Sequence, residues 1–171
     1  MLLSSTLLGA VVLYDWVHKQ TRFAPVLMAA CRFLLYLVAA SAVGGPANRA
    51  VLWRAVAMAA YVVGLSYLAR GESKATPSMG WTVGLLFVPV ATAFLQPGSA
   101  FATVLAFAVV QALWTLCCLL RLVSAIPSGV PGLLAGIALV DGLAAVGHGL
   151  TAVFLALFVL ALCLQRLAPA T

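Results

Sequence analysis

The run AFATVLAFAVVQALWTLCCLL, from Ala100 to Leu120, holds no Lys, Arg, Asp or Glu and lies between Gln96-Pro97-Gly98-Ser99 and Arg121. A helix needs ~20 apolar residues to cross the ~30 Å hydrocarbon core of a bilayer, and this stretch meets that length with one amide, Gln111, near its middle. The pattern repeats outward in both directions. Six further apolar runs are expected as helices: Leu2 to Val17, Ala24 to Val43, Val51 to Ala69, Trp81 to Phe94, Gly132 to Val146 and Leu150 to Leu164. Turn-forming and charged connectors separate them, among them Gln20-Thr21-Arg22, Gly44-Gly45-Pro46-Ala47-Asn48, Arg70 to Gly80 and Ser124 to Pro131. Only Gly147-His148-Gly149 parts the last two runs, so one of them is a candidate for a tilted or re-entrant segment and the number of spans is six or seven. No ~10-residue segments of alternating polarity appear, which argues against an outer-membrane barrel. The chain reads as an all-α integral membrane protein, a bundle of about seven transmembrane helices forming a single domain over residues 1–171.

Composition agrees. Of the residues, 65% are hydrophobic and 7% charged, against ~25% charged in a soluble domain. So few charges cannot coat the surface a water-soluble fold exposes, and membrane lipid is the expected surroundings. The formal net charge of +6 is scattered between apolar runs. That pattern fits attraction to anionic head groups, and nucleic acid is not an expected partner. Cys31, Cys117, Cys118 and Cys163 sit inside apolar runs and read as packing residues. The first run has no basic segment before it, as a secretory signal would, and is expected to be a retained helix. Lys and Arg near span ends favour the cytoplasm. Lys19, Arg22, Arg70, Lys74, Arg121 and Arg166 follow alternate spans, so the N-terminus is expected outside and the C-terminus inside the cytoplasmic (inner) membrane, with Arg49 and Arg54 on the outer side.

Ionisable groups within spans are costly, and each is a candidate functional residue. Arg32 and Asp141 lie roughly 10 and 13 Å from the expected cytoplasmic ends of their runs at ~1.5 Å per residue, with Tyr61 at similar depth and Tyr36 one turn beyond Arg32. Two roles fit these four: a structural ion pair joining helices, or the lining of an inward-opening polar cavity that takes a ligand. Gln111 reads as a hydrogen-bonding link between helices. Tyr14, Asp15, His18, Lys19 and Arg22 cluster at the end of the first run, where a Lys and Arg pair suits phosphate oxygens or simply flanks the span. Glu72 is the one loop acid, a weak ligand for Mg²⁺ or a partner for Arg70 or Lys74. Gly64-Leu65-Ser66 with His148 does not make a rhomboid-like dyad, because Tyr67 follows the serine and His148 is expected at the opposite face. His18 and His148 are both at span ends, which disfavours a haem. Gly132 and Gly136 read as a close-packing GxxxG pair.

The run Tyr14-Asp15-Trp16-Val17-His18-Lys19-Gln20-Thr21-Arg22 resembles the tyrosine and lysine motif that closes the fourth span of UbiA-type membrane prenyltransferases. The run Tyr61-Val62-Val63-Gly64-Leu65-Ser66-Tyr67-Leu68-Ala69-Arg70-Gly71-Glu72 is similar to the segment carrying that family's second acidic motif. Both are nearest in wording to the divergent EboC-type branch, and the likeness is specific over Leu2 to Arg70. The resemblance implies a C-terminal portion of a UbiA-like fold that handles an isoprenoid or isoprenyl diphosphate at the cytoplasmic face. In such enzymes aspartate-rich motifs hold Mg²⁺ around the diphosphate. By resemblance Lys19 would contact diphosphate, Tyr14 and Tyr61 would line the pocket, and Glu72 would be a remnant of the metal-binding acids. The first acidic motif is absent, and Arg70 and Glu72 stand where acids of the second are expected. The expectation is therefore a prenyltransferase-family membrane protein that binds substrate, with catalysis impaired in this chain alone unless a partner chain supplies the missing spans. The alternative is a non-enzymatic carrier or assembly component for a lipid-like metabolite, using the level of Arg32, Tyr36, Tyr61 and Asp141.

Overall fold

In the computed structural model every apolar run closes into an α-helix. The structure describes residues 2–17, 21, 23–42, 48–72, 79–95, 101–124, 129–146 and 149–167, with the side chains of Glu72 and Met79 outside the description. The helices are α1 (Leu2–Val17), α2 (Ala24–Ala42), α3 (Arg49–Glu72), α4 (Met79–Ala93), α5 (Phe101–Val123), α6 (Gly129–Ala144) and α7 (Thr151–Leu167). No strand occurs among the described residues. α3 runs past the expected apolar run at both ends. Asn48 caps its start, the side-chain Oδ1 accepting the Val51 N–H at 2.9 Å, and Arg70 lies in its last turn, where a cation complements the helix dipole. Arg121 and Arg166 take the same place in α5 and α7.

Three helices, α2, α3 and α5, are long and apolar enough to cross a membrane. The other four have 15 to 17 residues, roughly 23 to 26 Å at ~1.5 Å per residue. Prolines fall where helices tolerate them: Pro25 and Pro131 are in first turns, where a missing N–H leaves nothing unbonded. Pro89 lies inside α4. The chain's contacts gather into two compact units, Met1–Val88 and Pro89–Thr171, with the boundary at that proline.

In unit 1, α2 packs on both α1 and α3. Its core is built on α3, where Ala55, Met58, Tyr61, Val62, Leu65 and Leu68 are buried, together with Leu86 of α4. Gly64 is what lets α3 approach α4: a Cβ there would stand 2.8 Å from the Thr82 carbonyl oxygen and 3.1 Å from Leu85 Cβ. One turn on, Tyr67 meets Trp81 edge to face at 5.3 Å. Between apolar helices in lipid there is little hydrophobic gain, so such backbone proximity and shape fit carry the association.

In unit 2, α6 packs on both α5 and α7. Its Gly132 faces Cys118 of α5, whose Sγ would be 2.6 Å from an added Cβ, and its Gly142 faces Phe107 of α5 and Phe154 of α7. The expected close-packing role of Gly132 is thus filled within the chain. Two side chains then pin the first turn of α6 from either flank. Trp114 Nε1 of α5 donates to the Gly132 carbonyl at 2.8 Å, and Gln165 Nε2 of α7 donates to the Pro131 carbonyl at 2.9 Å. The Trp114 ring stands edge-on to Phe158 at 4.9 Å, tying α5 to α7. At the other end Ala93, Val104, Ala108, Leu143 and Val146 form an apolar cluster backed by Val90 and Phe107.

Candidate functional site

The residues with the most chemistry in unit 1 gather at two levels. The first is the end where α1 closes, α2 opens and α3 terminates. Tyr14 and Asp15 occupy the last turn of α1, the tyrosine half-buried and the carboxylate exposed. Asp15 is within electrostatic range of Cys31 on α2. The Thr21 hydroxyl donates to the Val17 carbonyl, in the last turn of α1, at 3.3 Å. The guanidinium of Arg70, from the last turn of α3, donates through Nη1 to the Thr21 carbonyl at 3.3 Å. A cation of α3 therefore clasps the α1–α2 connector, although the two residues are 49 positions apart. One turn inward from Arg70, Ser66 Oγ donates to Met28 Sδ at 3.7 Å.

The second level is deeper. Tyr61 is fully buried in the core of α3. Tyr36 is half-buried on α2, within electrostatic range of the half-buried Arg54 on α3. Arg32 is exposed on α2. Asp141 is half-buried on α6, in unit 2, where its carbonyl accepts the Ala145 N–H as the helix ends. Arg32 and Asp141 thus belong to different units. Lys19, Arg22, His18, Lys74 and His148 lie outside the described residues, as does the Glu72 side chain.

The sequence reading passed over two groups. Arg54 was placed with the outer flank, yet it is the charged neighbour of Tyr36; its position five residues inside α3 was the available signal, by the same rule that singled out Arg32. The other group is in α5. Gln111 was expected to join two helices, and that expectation is corrected: its Nε2 donates to Thr115 Oγ1 at 3.3 Å on the same helix. With a polar hydroxyl one turn along, an amide finds its partner locally. The link between helices is made instead by Trp114 and Gln165 through backbone carbonyls, acceptors that side-chain patterning does not reveal.

Chemically, the first level offers a cation and a tyrosine at the rim of an apolar bundle, suited to an anionic head group on an apolar tail. For Mg²⁺, the fit is poor. Among the described residues no three of His, Cys, Asp and Glu come together to hold a metal ion. The whole chain has only Asp15, Glu72 and Asp141 as side-chain carboxylates. No family model, no curated protein and no solved structure matches the chain.

Proposed function

We propose that the chain is an integral protein of the cytoplasmic membrane that binds an isoprenoid or isoprenyl diphosphate where α1 closes, α2 opens and α3 ends, following the resemblance to UbiA-type prenyltransferases. The observation that carries this reading is the hydrogen bond from Arg70 to the Thr21 carbonyl. It sets the connector that holds Lys19 and Arg22 beside the turn that holds Arg70 and Glu72, so two segments that the resemblance assigns to one diphosphate site lie at the same end of one unit. Lys19, Arg22 and Arg70 supply charge-assisted donors to phosphate oxygens, with Arg giving the planar two-pronged contact. Tyr14 at the rim and Tyr61 in the core are the aromatic walls. All seven helices cross the membrane in this reading, with the N-terminus outside. The basic last turns of α3, α5 and α7 support that orientation.

The chain's three carboxylates favour binding over transfer by this chain alone. Mg²⁺ sites on diphosphates combine one or two carboxylates with substrate oxygens, and Glu72 is the only loop acid. No step is therefore routed through a metal. The same scarcity favours a second reading, a carrier or assembly component for a lipid-like metabolite, in which the head group is held and never cleaved.

Binding of a radiolabelled isoprenyl diphosphate and of the matching alcohol to the purified chain in nanodiscs distinguishes these. The diphosphate should bind about tenfold tighter or more, since a single charge-assisted hydrogen bond is worth roughly 1.5–3 kcal/mol. Lys19→Ala and Arg70→Gln should each narrow that gap and the pair should close it, leaving alcohol binding unchanged. Equal affinity for the two ligands, insensitive to both substitutions, refutes the diphosphate site and leaves the carrier.

A further inference from the structure

Gln111 stands in the middle of α5 with none of its surface exposed. Its Oε1 is buried with no hydrogen-bond partner among the described residues, while its Nε2 is engaged by Thr115 Oγ1. A carboxamide has two donors and one acceptor oxygen, so a single hydroxyl satisfies one end whichever way the amide is turned. A buried polar group left without a partner costs about 1–3 kcal/mol, more than the Thr115 hydrogen bond returns.

The surroundings are polar along one line only. Thr115 and Cys118, four and seven residues on, are likewise fully buried and share the face of α5 that packs on α6. Arg121, half-buried in the last turn, is within electrostatic range of Cys118. From Gln111 to Arg121 is ten residues, about 15 Å along the helix. The antiparallel register, with Cys118 against Gly132 and Phe107 against Gly142, puts Gln111 level with the turn from Gly136 to Leu139. That stretch of α6 offers the buried residues Gly136 and Leu139 and no side-chain donor. Its backbone still has acceptor capacity, as the carbonyls of Pro131 and Gly132 show by taking side-chain donors from both neighbours.

An unsatisfied acceptor and an adjacent hydroxyl together match a molecule that both donates and accepts and is small enough for a packed seam. We propose that a water molecule is bound at Gln111 and Thr115, within the α5–α6 seam, where it donates to the Gln111 carboxamide oxygen. A buried water with two to four polar partners is the ordinary solution for such a group. This site is independent of the head-group site in unit 1.

Water-edited solid-state NMR on the full chain in lipid, labelled at glutamine side-chain nitrogen, reads the proposal directly. The four glutamines, Gln20, Gln96, Gln111 and Gln165, give separable signals, and loss of one in Gln111→Met assigns it. The Gln111 carboxamide should take up water magnetisation, despite its depth. Gln111→Met should also lower the unfolding midpoint, because the bridge goes with the amide. A Gln111 signal that receives no water magnetisation while Gln20 does, or a Gln111→Met chain with a higher midpoint than the parent, shows a dry unsatisfied amide and overturns the site.

Discussion

Gly64→Ala and Gly84→Ala put the same methyl group into the interior of neighbouring helices, α3 and α4, and should have opposite effects. At Gly84 nothing lies within 4 Å of the new Cβ. The change there reads out helix propensity alone, a gain of up to about 1 kcal/mol. At Gly64 the new atom meets the Thr82 carbonyl oxygen at 2.8 Å and Leu85 Cβ at 3.1 Å. Both are fixed to the backbone and no rotamer moves them aside. Relief requires α3 and α4 to separate by about half an ångström, and overpacking of this kind costs roughly 1–3 kcal/mol. Since the propensity gain is common to both, the difference between the two variants isolates the contact, and Gly64→Ala should be the less stable by about 1–3 kcal/mol. Titration of dodecylmaltoside-solubilised protein with sodium dodecyl sulfate, followed by far-ultraviolet circular dichroism, gives the two free energies on one scale. Equal stabilities, or a Gly64→Ala chain more stable than Gly84→Ala, would refute the close approach of α3 to α4 at this point.

In unit 2, Gly132→Ala should destabilise by about 1–3 kcal/mol, because the new Cβ falls 2.6 Å from Cys118 Sγ. Adding Cys118→Ala removes that sulfur and leaves Cys118 Cβ at 3.9 Å, so the pair should lose less than the sum of the single changes; additive losses in the same titration would place the strain elsewhere. For orientation, cysteines introduced at Ser73 and Ser99 are probed with a membrane-impermeant thiol reagent on intact cells. Ser99→Cys should be labelled and Ser73→Cys protected, and the reverse would invert the proposed topology.

Helix positions were legible in the sequence because a long apolar run bounded by Gly, Pro or Arg has few alternatives. The expected start and end of α1 coincide with those observed, and α2 differs by one residue. Boundaries moved where polar residues prolong a helix: Asn48 and Arg49 extend α3 backwards, and Arg70 to Glu72 extend it forwards, since backbone hydrogen bonding is indifferent to hydropathy. The hydrogen bond from Arg70 to the Thr21 carbonyl joins the end of α3 to the α1–α2 connector, and hydropathy gives no sign of it. What hydropathy could not supply is the face each helix turns to its neighbours. In lipid both faces of a helix can be apolar, so patterning does not distinguish the packed side from the lipid side. That is why Gln111 was assigned to a neighbouring helix, and why Arg54 beside Tyr36 and the carbonyl-directed bonds of Trp114 and Gln165 went unseen.

The packing of α6 between α5 and α7 bears on how the chain is made. Nine of its sixteen residues are buried in unit 2, and it includes Pro131, four glycines and Asp141. At sixteen residues, with Pro131 near its start and Asp141 near its end, such a segment is a poor candidate for leaving an insertion channel by itself. Its neighbours carry what it lacks: α5 is long and apolar enough to cross a membrane, and both flanks donate hydrogen bonds to its first turn. If all seven helices span the membrane as proposed, insertion of α6 is a cooperative event, with α5 retained beside the channel until α6 and α7 have emerged to close around one another.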